Sequence, residues 1–199
     1  MDLLDQARFL MRITRTHGIV RRYFVVNGFD GALTMLGLIS GFLLSAPASL
    51  TVIINACLGA AVALGMSGVS SAYISEAAER RRELVQLQDA MMTDLQQSAH
   101  GEAARLVPLL IALVNGAAPL IISLLILSPL WLANIGIVLP ISPLYIAVII
   151  ALLLIFLLGV FLGRIADISW LRSGLQTLLV ALLTAALIFL LVGGQGAAD

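Results

Sequence analysis

Charge is scarce in this sequence of 199 residues, and lysine is absent from it. Only 11% of the residues are charged, whereas 61% are hydrophobic, and the 11 acidic and 11 basic residues leave a formal net charge of zero. This composition lies far outside the range of soluble globular proteins and is typical of chains that cross a membrane several times. The sequence therefore predicts an all-α, polytopic membrane protein with a single domain, residues 1–199.

Cysteine and catalytic motifs are also scarce. The one cysteine, Cys57, lies inside an apolar run, so it forms no disulfide within the chain and belongs to no CxxC metal or redox motif. Neither of the two histidines has an obvious nucleophile partner, and the sequence has no HExxH motif, phosphate-binding loop or nucleophile elbow. We therefore expect that the protein is not an enzyme and that it holds no cofactor.

Five apolar stretches are long enough to cross a bilayer as helices. The first two, separated by Pro47, predict a helical hairpin over residues 24–75, and three further spans occupy residues 106–192. Residues 76–105 are charged and amphipathic and predict a short helical linker outside the lipid. Residues 1–22 carry apolar residues on one side and arginines on the other, which predicts an amphipathic helix in the membrane interface.

The arginines predict the orientation in the membrane. Five precede the first span, four lie in the charged linker, and two lie in the short turn between the fourth and fifth spans. None lies between the first two spans, in the C-terminal tail or in residues 128–143, where prolines predict an irregular interfacial loop. Because basic residues are retained preferentially on the cytoplasmic side, we expect a cytoplasmic N-terminus, a cytoplasmic linker and a C-terminus outside.

Asp30 is the only charged residue within the apolar stretches. Counted from Phe24 at about 1.5 Å per residue, it lies about 9 Å inside the first span. A carboxylate at the centre of a bilayer costs about 2.5 to 3.5 kcal/mol, so such groups usually face a bundle interior or a watery cavity and take part in ion or proton movement. The alternative is an aspartate that snorkels to the interface or caps a helix. We favour the functional interpretation because small and polar residues surround it in the sequence.

Counting from the cytoplasmic ends of the spans predicts further polar groups at the depth of Asp30. In the second span this depth falls on Met66, Ser67 and Ser70, and in the third span it falls on Asn115. Hydroxyl and amide oxygens suit hard divalent cations, and a thioether extends the set to softer ions such as Fe(II). One hypothesis is therefore a layer of metal ligands formed by these five residues. The alternative for each neutral residue is ordinary packing and hydrogen bonding between helices.

Acidic residues in the linker suggest a second, cytoplasmic place for metal capture. Glu76, Glu79 and Glu83 fall on one helical face. Arginines follow at helical spacing, however, with Arg80 four residues after Glu76 and Arg82 three residues after Glu79. An ion-paired, solvated face is therefore the favoured interpretation.

Glycines at intervals of four residues predict close contacts between helices. Gly37 and Gly41 form such a pair in the first span, and Gly159 and Gly163 form another in the fourth. With Asp30 near one face of the same helix, the first pair favours a homodimer in which the two first spans approach each other across a two-fold axis.

Three features of the sequence are shared with a known family. They are the Asp30–Gly31 pair early in the first span, the stretch from Tyr73 to Glu79 that closes the second span, and a charged linker before three further spans. Together they resemble the vacuolar iron transporter family, as a short prokaryotic member without the full cytoplasmic metal-binding domain. The resemblance implies a plasma-membrane homodimer of five-helix subunits that exports Fe(II), and also Mn(II) or other divalent ions, in exchange for protons, with Asp30 lining the pathway.

Two positions depart from the pattern of that family. Alignment on Tyr73 puts Gly68 and Ala72 where the family has a methionine and a glutamate. Two alternatives therefore stay open, a non-transporting membrane scaffold or assembly protein that retains the fold, and a transporter of another solute. The expected partners are a divalent metal ion, the lipid bilayer and a second copy of the chain, with no nucleic acid among them.

Overall fold

The computed structural model describes residues 17–45 and 47–193, which form helices joined by short turns. The helices are α1 (His17–Leu44), α2 (Leu50–Met91), α3 (Ala99–Asn134), α4 (Pro143–Ile165) and α5 (Trp170–Gly193). Each of these five is long and apolar enough to cross a membrane. The predicted all-α polytopic fold with five spans is confirmed. The interfacial helix predicted over residues 1–22 lies mostly outside the described residues, since only residues 17–22 are described, as the start of α1.

The charged linker is largely a continuation of the second membrane helix. α2 runs without a break through Met91, because the alanine, glutamate, arginine, leucine and glutamine residues that follow the apolar part all favour helix. Met92 then leaves the helix with a φ of 50°. α3 begins after Ser98, whose hydroxyl oxygen accepts a hydrogen bond from the backbone N–H of Gly101 at 3.4 Å, as expected of a helix N-cap.

α3 also passes through a segment that the prolines predict to be irregular. The loop expected over residues 128–143 begins only after Asn134, so that part of the prediction is wrong. Pro129 has no backbone N–H to donate to the carbonyl of Leu125. The hydroxyl of Ser128 donates to that carbonyl instead, at 2.7 Å. A side chain thus satisfies the acceptor that the proline leaves, and the helix continues.

The described chain divides into two compact units, and α1, α2 and α3 each contribute to both. The first unit contains residues 17–24 and 65–117, and the second contains residues 25–45, 47–64 and 118–193. The prediction of a single domain over residues 1–199 stays a prediction. In the first unit, a small apolar cluster joins α2 to the first half of α3. Its buried members are Ala72, Ala103, Val107, Ile111 and Ala112.

The second unit holds a larger apolar cluster to which all five helices contribute. Its fully buried members include Met35 and Ile39 of α1, Cys57 of α2, Ile126 and Leu130 of α3, Ile155 of α4 and Ala181 of α5. Lipid tails are as apolar as these side chains, so close van der Waals packing, rather than transfer out of water, holds the helices together. The cysteine is free and buried, and it packs within this cluster.

α4 and α5 pack closely against each other in the second unit. A Cβ added at Gly163 would lie 2.8 Å from Cβ of Ser173 and 3.1 Å from Cα of Trp170, and one added at Gly159 would overlap Thr177. The close helix contact predicted for this glycine pair is confirmed. The turn between the two helices contains Asp167, whose φ is 52°.

Candidate functional site

Asp30 lies in α1 within the second unit, and its side chain is exposed. It borders a cavity of about 170 Å³ between α1, α4 and α5. The other lining residues are Val25, Val26, Phe29, Leu158, Gly159, Leu162 and Thr177. The hydroxyl of Thr177 is directed to the carbonyl oxygens of Gly174 and Ile155, at 2.9 and 3.1 Å. Among the residues that the structure describes, Asp30 is therefore the one ionisable group that lines this apolar cavity.

Glycines on α1 allow other helices to come close beside Asp30. A Cβ added at Gly31 would lie 2.7 Å from Cα of Pro119 and 2.8 Å from the carbonyl oxygen of that residue. At Gly28, an added Cβ would lie 3.4 Å from Ile122. Because the atoms opposite Gly31 include backbone, no rotamer change makes room for a side chain there. The position of Asp30 is thus fixed by close packing of α1 on α3.

Met66, Ser67 and Ser70 share one exposed face of α2, in the first unit. Met66 is 63% exposed. The hydroxyl of Ser70 donates within its own helix, to the carbonyl oxygens of Met66 at 2.9 Å and Ser67 at 3.2 Å. The structure therefore brings these three predicted ligands together, as a thioether and two hydroxyl groups on one side of a helix.

Asn115, the ligand predicted on α3, is placed differently. Its side chain is buried, with 5% exposed, and its amide nitrogen donates to the carbonyl oxygen of Gly68 on α2 at 2.7 Å. A Cβ added at the neighbouring Gly116 would overlap the carbonyl oxygen of Gly65. Asn115 therefore holds α2 against α3, and it is not on the exposed face that carries Met66.

Gly65 and Gly116 also take part in this contact, and their role was not predicted from the sequence. The available signal was a pair of glycines three residues apart on α2, Gly65 and Gly68, together with a glycine on α3. The signal is weak, because it becomes specific only when the register between the two helices is known.

Two of the three linker glutamates form ion pairs or hydrogen bonds within the first unit. Nη1 of Arg80 lies 2.8 Å from a carboxylate oxygen of Glu83, and its Nε lies 3.9 Å from Glu76. The hydroxyl of Tyr23 also donates to Glu76, at 3.2 Å. Glu79 is exposed. The ion-paired interpretation therefore holds for Glu76 and Glu83. Across residues 17–45 and 47–193, no group of three His, Cys, Asp or Glu side chains is placed to hold a metal ion.

Five spanning helices define a multi-pass membrane protein, and a lone intramembrane carboxylate beside a cavity is a feature typical of proteins that move ions or protons. Comparison with known proteins agrees with this class. The VIT family matches residues 82–193. A protein of Methanocaldococcus jannaschii with the name "Uncharacterized protein MJ0645" is 33% identical over 173 residues, which cover 85% of this chain and 87% of that protein.

The chain therefore belongs to the VIT family, the vacuolar iron transporter family that its motifs resemble. Members of this family are membrane metal transporters and not enzymes. This membership confirms both the resemblance and the expectation that the protein is not an enzyme.

Proposed function

We propose that the protein is a proton-coupled exporter of divalent metal ions, Fe(II) and also Mn(II), that works as a homodimer in a prokaryotic plasma membrane. The observation that carries the proposal is the exposed carboxylate of Asp30 in a membrane-spanning helix, beside a cavity of about 170 Å³. Membership of a metal-transporter family supports it. Fe(II) and Mn(II) are the substrates, and no resident cofactor is required.

The exposure of Asp30 supports the homodimer. A carboxylate that faced hydrocarbon would be costly, so we infer that Asp30 faces either an aqueous pathway or a second subunit. Farther along α1, an added Cβ at Gly41 would meet nothing within 4 Å, which leaves room for a partner helix. At Gly37 there is less room, because an added Cβ would lie 3.6 Å from Cδ1 of Ile188, in α5 of the same subunit. In a two-fold dimer built on this face of α1, the two copies of Asp30 share one pathway.

Two carboxylates in one pathway give the proposal its chemistry. Their combined charge matches that of one divalent cation, and oxygen ligands suit Fe(II) and Mn(II). A proton and a metal ion bind the same oxygens, so proton binding releases the metal and metal binding releases the proton. This competition is the simplest way to couple inward proton flow to outward metal flow.

The other predicted ligands have different roles in the proposed mechanism. We propose that exposed Met66, Ser67 and Ser70 supply a thioether and hydroxyl oxygens to the ion along its path. Asn115 contributes through helix packing, since its amide donates to a backbone carbonyl. The linker glutamates Glu76, Glu79 and Glu83 are not assigned to metal capture, because two of the three, Glu76 and Glu83, lie within ion-pair distance of Arg80.

The test compares two isosteric substitutions in proteoliposomes that enclose a pH dye. Asp30→Asn removes the intramembrane charge, and Asp167→Asn removes the same charge from the turn between α4 and α5. We expect Asp30→Asn to abolish Fe(II) and Mn(II) flux and the linked proton movement, while the control variant keeps both. Size-exclusion chromatography checks that folding and assembly are retained. Metal flux through Asp30→Asn at the parent rate would refute the proposal.

A membrane scaffold is the second candidate, and the packing of α2 favours it. Ala72 is buried in the cluster between α2 and α3, and Gly68 accepts the hydrogen bond from Asn115. The positions that correspond to the glutamate and methionine of the family therefore serve helix packing. If the parent protein moves no divalent ion under an imposed pH gradient, the scaffold replaces the transporter, and a panel of other solutes tests the third alternative.

A further inference from the structure

We propose that a groove between the charged part of α2 and the start of α3 binds an anionic phospholipid through its phosphate. The groove lies wholly in the first unit and encloses about 440 Å³. Its lining includes Arg81 on α2 and Arg105 on α3, together with Tyr73 and Pro108, and no carboxylate of the described residues is part of it. Two arginines thus line one groove from two different helices.

The two arginines of the groove differ from their neighbour Arg80. Arg80 is nearly buried and serves the fold, because it pairs with Glu76 and Glu83. Arg81 and Arg105 are exposed, and neither lies within 4.0 Å of a carboxylate in the described part of the chain. A guanidinium group offers a planar pair of donors that fits a phosphate with two parallel hydrogen bonds. The groove therefore has the charge and the donors that a phosphate needs.

The position of the groove along the helices favours a lipid. The apolar run of α2 ends just after Tyr73, and that of α3 begins just before Pro108. Arg105 precedes Pro108 by three residues, a rise of about 4.5 Å, which lies within a headgroup layer of about 5 to 8 Å in each leaflet. Arg81 follows Tyr73 by eight residues, a rise of about 12 Å, so its backbone lies beyond that layer and its long side chain can reach back toward the headgroups. One end of the groove therefore meets the acyl chains, and the end with the arginines lies at and just outside headgroup level.

The apolar surface continues toward the bilayer from this end. Tyr73 and Leu109 are each 47% exposed beside the groove, where acyl chains can cover them. Aromatic residues such as this tyrosine are enriched at membrane interfaces. The arginine distribution predicts that this end of both helices is cytoplasmic, and anionic lipids bind basic pockets between helices on that side. The order of acyl chain, glycerol and phosphate along a phospholipid matches the order of apolar, aromatic and basic residues along the groove.

The test uses the full chain in detergent, stripped of lipid, with native mass spectrometry as the readout. Phosphatidylglycerol and phosphatidylcholine of equal chain length are titrated, and glycerol 3-phosphate serves as the soluble headgroup alone. The variant is Arg81→Gln with Arg105→Gln, and the control is Arg21→Gln with Arg82→Gln, which removes two exposed arginines of the same unit that do not line the groove.

We expect the parent to bind phosphatidylglycerol more tightly than phosphatidylcholine. A hydrogen-bonded charge is worth about tenfold in affinity, so the groove variant should bind phosphatidylglycerol at least about tenfold more weakly, and the control should change less than about threefold. Equal binding of the two lipids, an equal loss in both variants, or glycerol 3-phosphate binding as tight as the lipid would each overturn the proposal. Metal flux is not part of the readout, so the outcome is independent of the proposed transport.

Discussion

Replacing Gly31 by alanine tests the packing that positions Asp30. The added Cβ would lie 2.7 Å from Cα and 2.8 Å from the carbonyl oxygen of Pro119, whereas carbon atoms pack at about 3.5 to 4.0 Å. The backbone of α1 or α3 must therefore move by about 0.8 Å. Overpacking of this kind costs about 1 to 3 kcal/mol, and the better helix propensity of alanine returns about 0.5 to 1 kcal/mol. The expected net destabilisation is about 0 to 2.5 kcal/mol.

Gly59→Ala is the matched control, because an added Cβ at Gly59 meets nothing within 4 Å. It should be neutral or more stable by up to about 1 kcal/mol, since only the helix propensity changes. Both variants are unfolded by a titration with sodium dodecyl sulfate in mixed micelles, and the change is followed by tryptophan fluorescence. Trp131 packs against the cluster of the second unit and reports on its loss. If Gly31→Ala unfolds at the same detergent fraction as Gly59→Ala, the reasoning about the α1–α3 contact is refuted.

Three further predictions concern orientation, assembly and helix continuity. In a background without the native cysteine, a cysteine at Asp89 should react with an impermeant maleimide only from the cytoplasmic side, and one at Val138 only from outside; the reverse pattern would invert the export direction. Gly41→Leu should shift the protein from dimer to monomer in mild detergent while each subunit keeps its fold, and an unchanged dimer would move the interface elsewhere. Ser128→Ala should cost about 1 kcal/mol in the micelle titration, but almost nothing in a Pro129→Ala background, where a backbone N–H replaces the hydroxyl; an equal cost in both backgrounds would show that the hydroxyl does not compensate for the proline.

The helices were predictable from the sequence because their causes are local. Apolar runs of membrane length predict the five spans, and the pairing of Glu76 with Arg80 follows from helical spacing. The end of α3 was not predictable in the same way. Proline is a helix breaker by its own chemistry, and its effect at Pro129 depends on whether a neighbour can donate to the orphaned carbonyl. The hydroxyl of Ser128 donates to that carbonyl, and the positions of the prolines alone do not predict this hydrogen bond.

The candidate site was only partly predictable. Asp30 stands out because a single charge in an apolar run is visible in any sequence. The cavity beside it depends on Leu158 and Thr177, more than a hundred residues later, and no local pattern states which helices are neighbours in a bundle. The same limit applies to the contact of Tyr23 with Glu76, which are 53 residues apart.

The interlocked pair of α4 and α5 has a consequence for biogenesis. When α4 enters the bilayer during synthesis, Gly159 and Gly163 leave a strip of its backbone uncovered by side chains. That strip is covered only after α5 has inserted, when Thr177 and Ser173 pack against it. Until then, α4 lies in the membrane without its packing partner. A chain stalled in the turn at Asp167 would present this strip to lipid or to other membrane helices. Mutations that delay or prevent insertion of α5 should therefore mark the chain for degradation by membrane proteases before any transport defect becomes measurable.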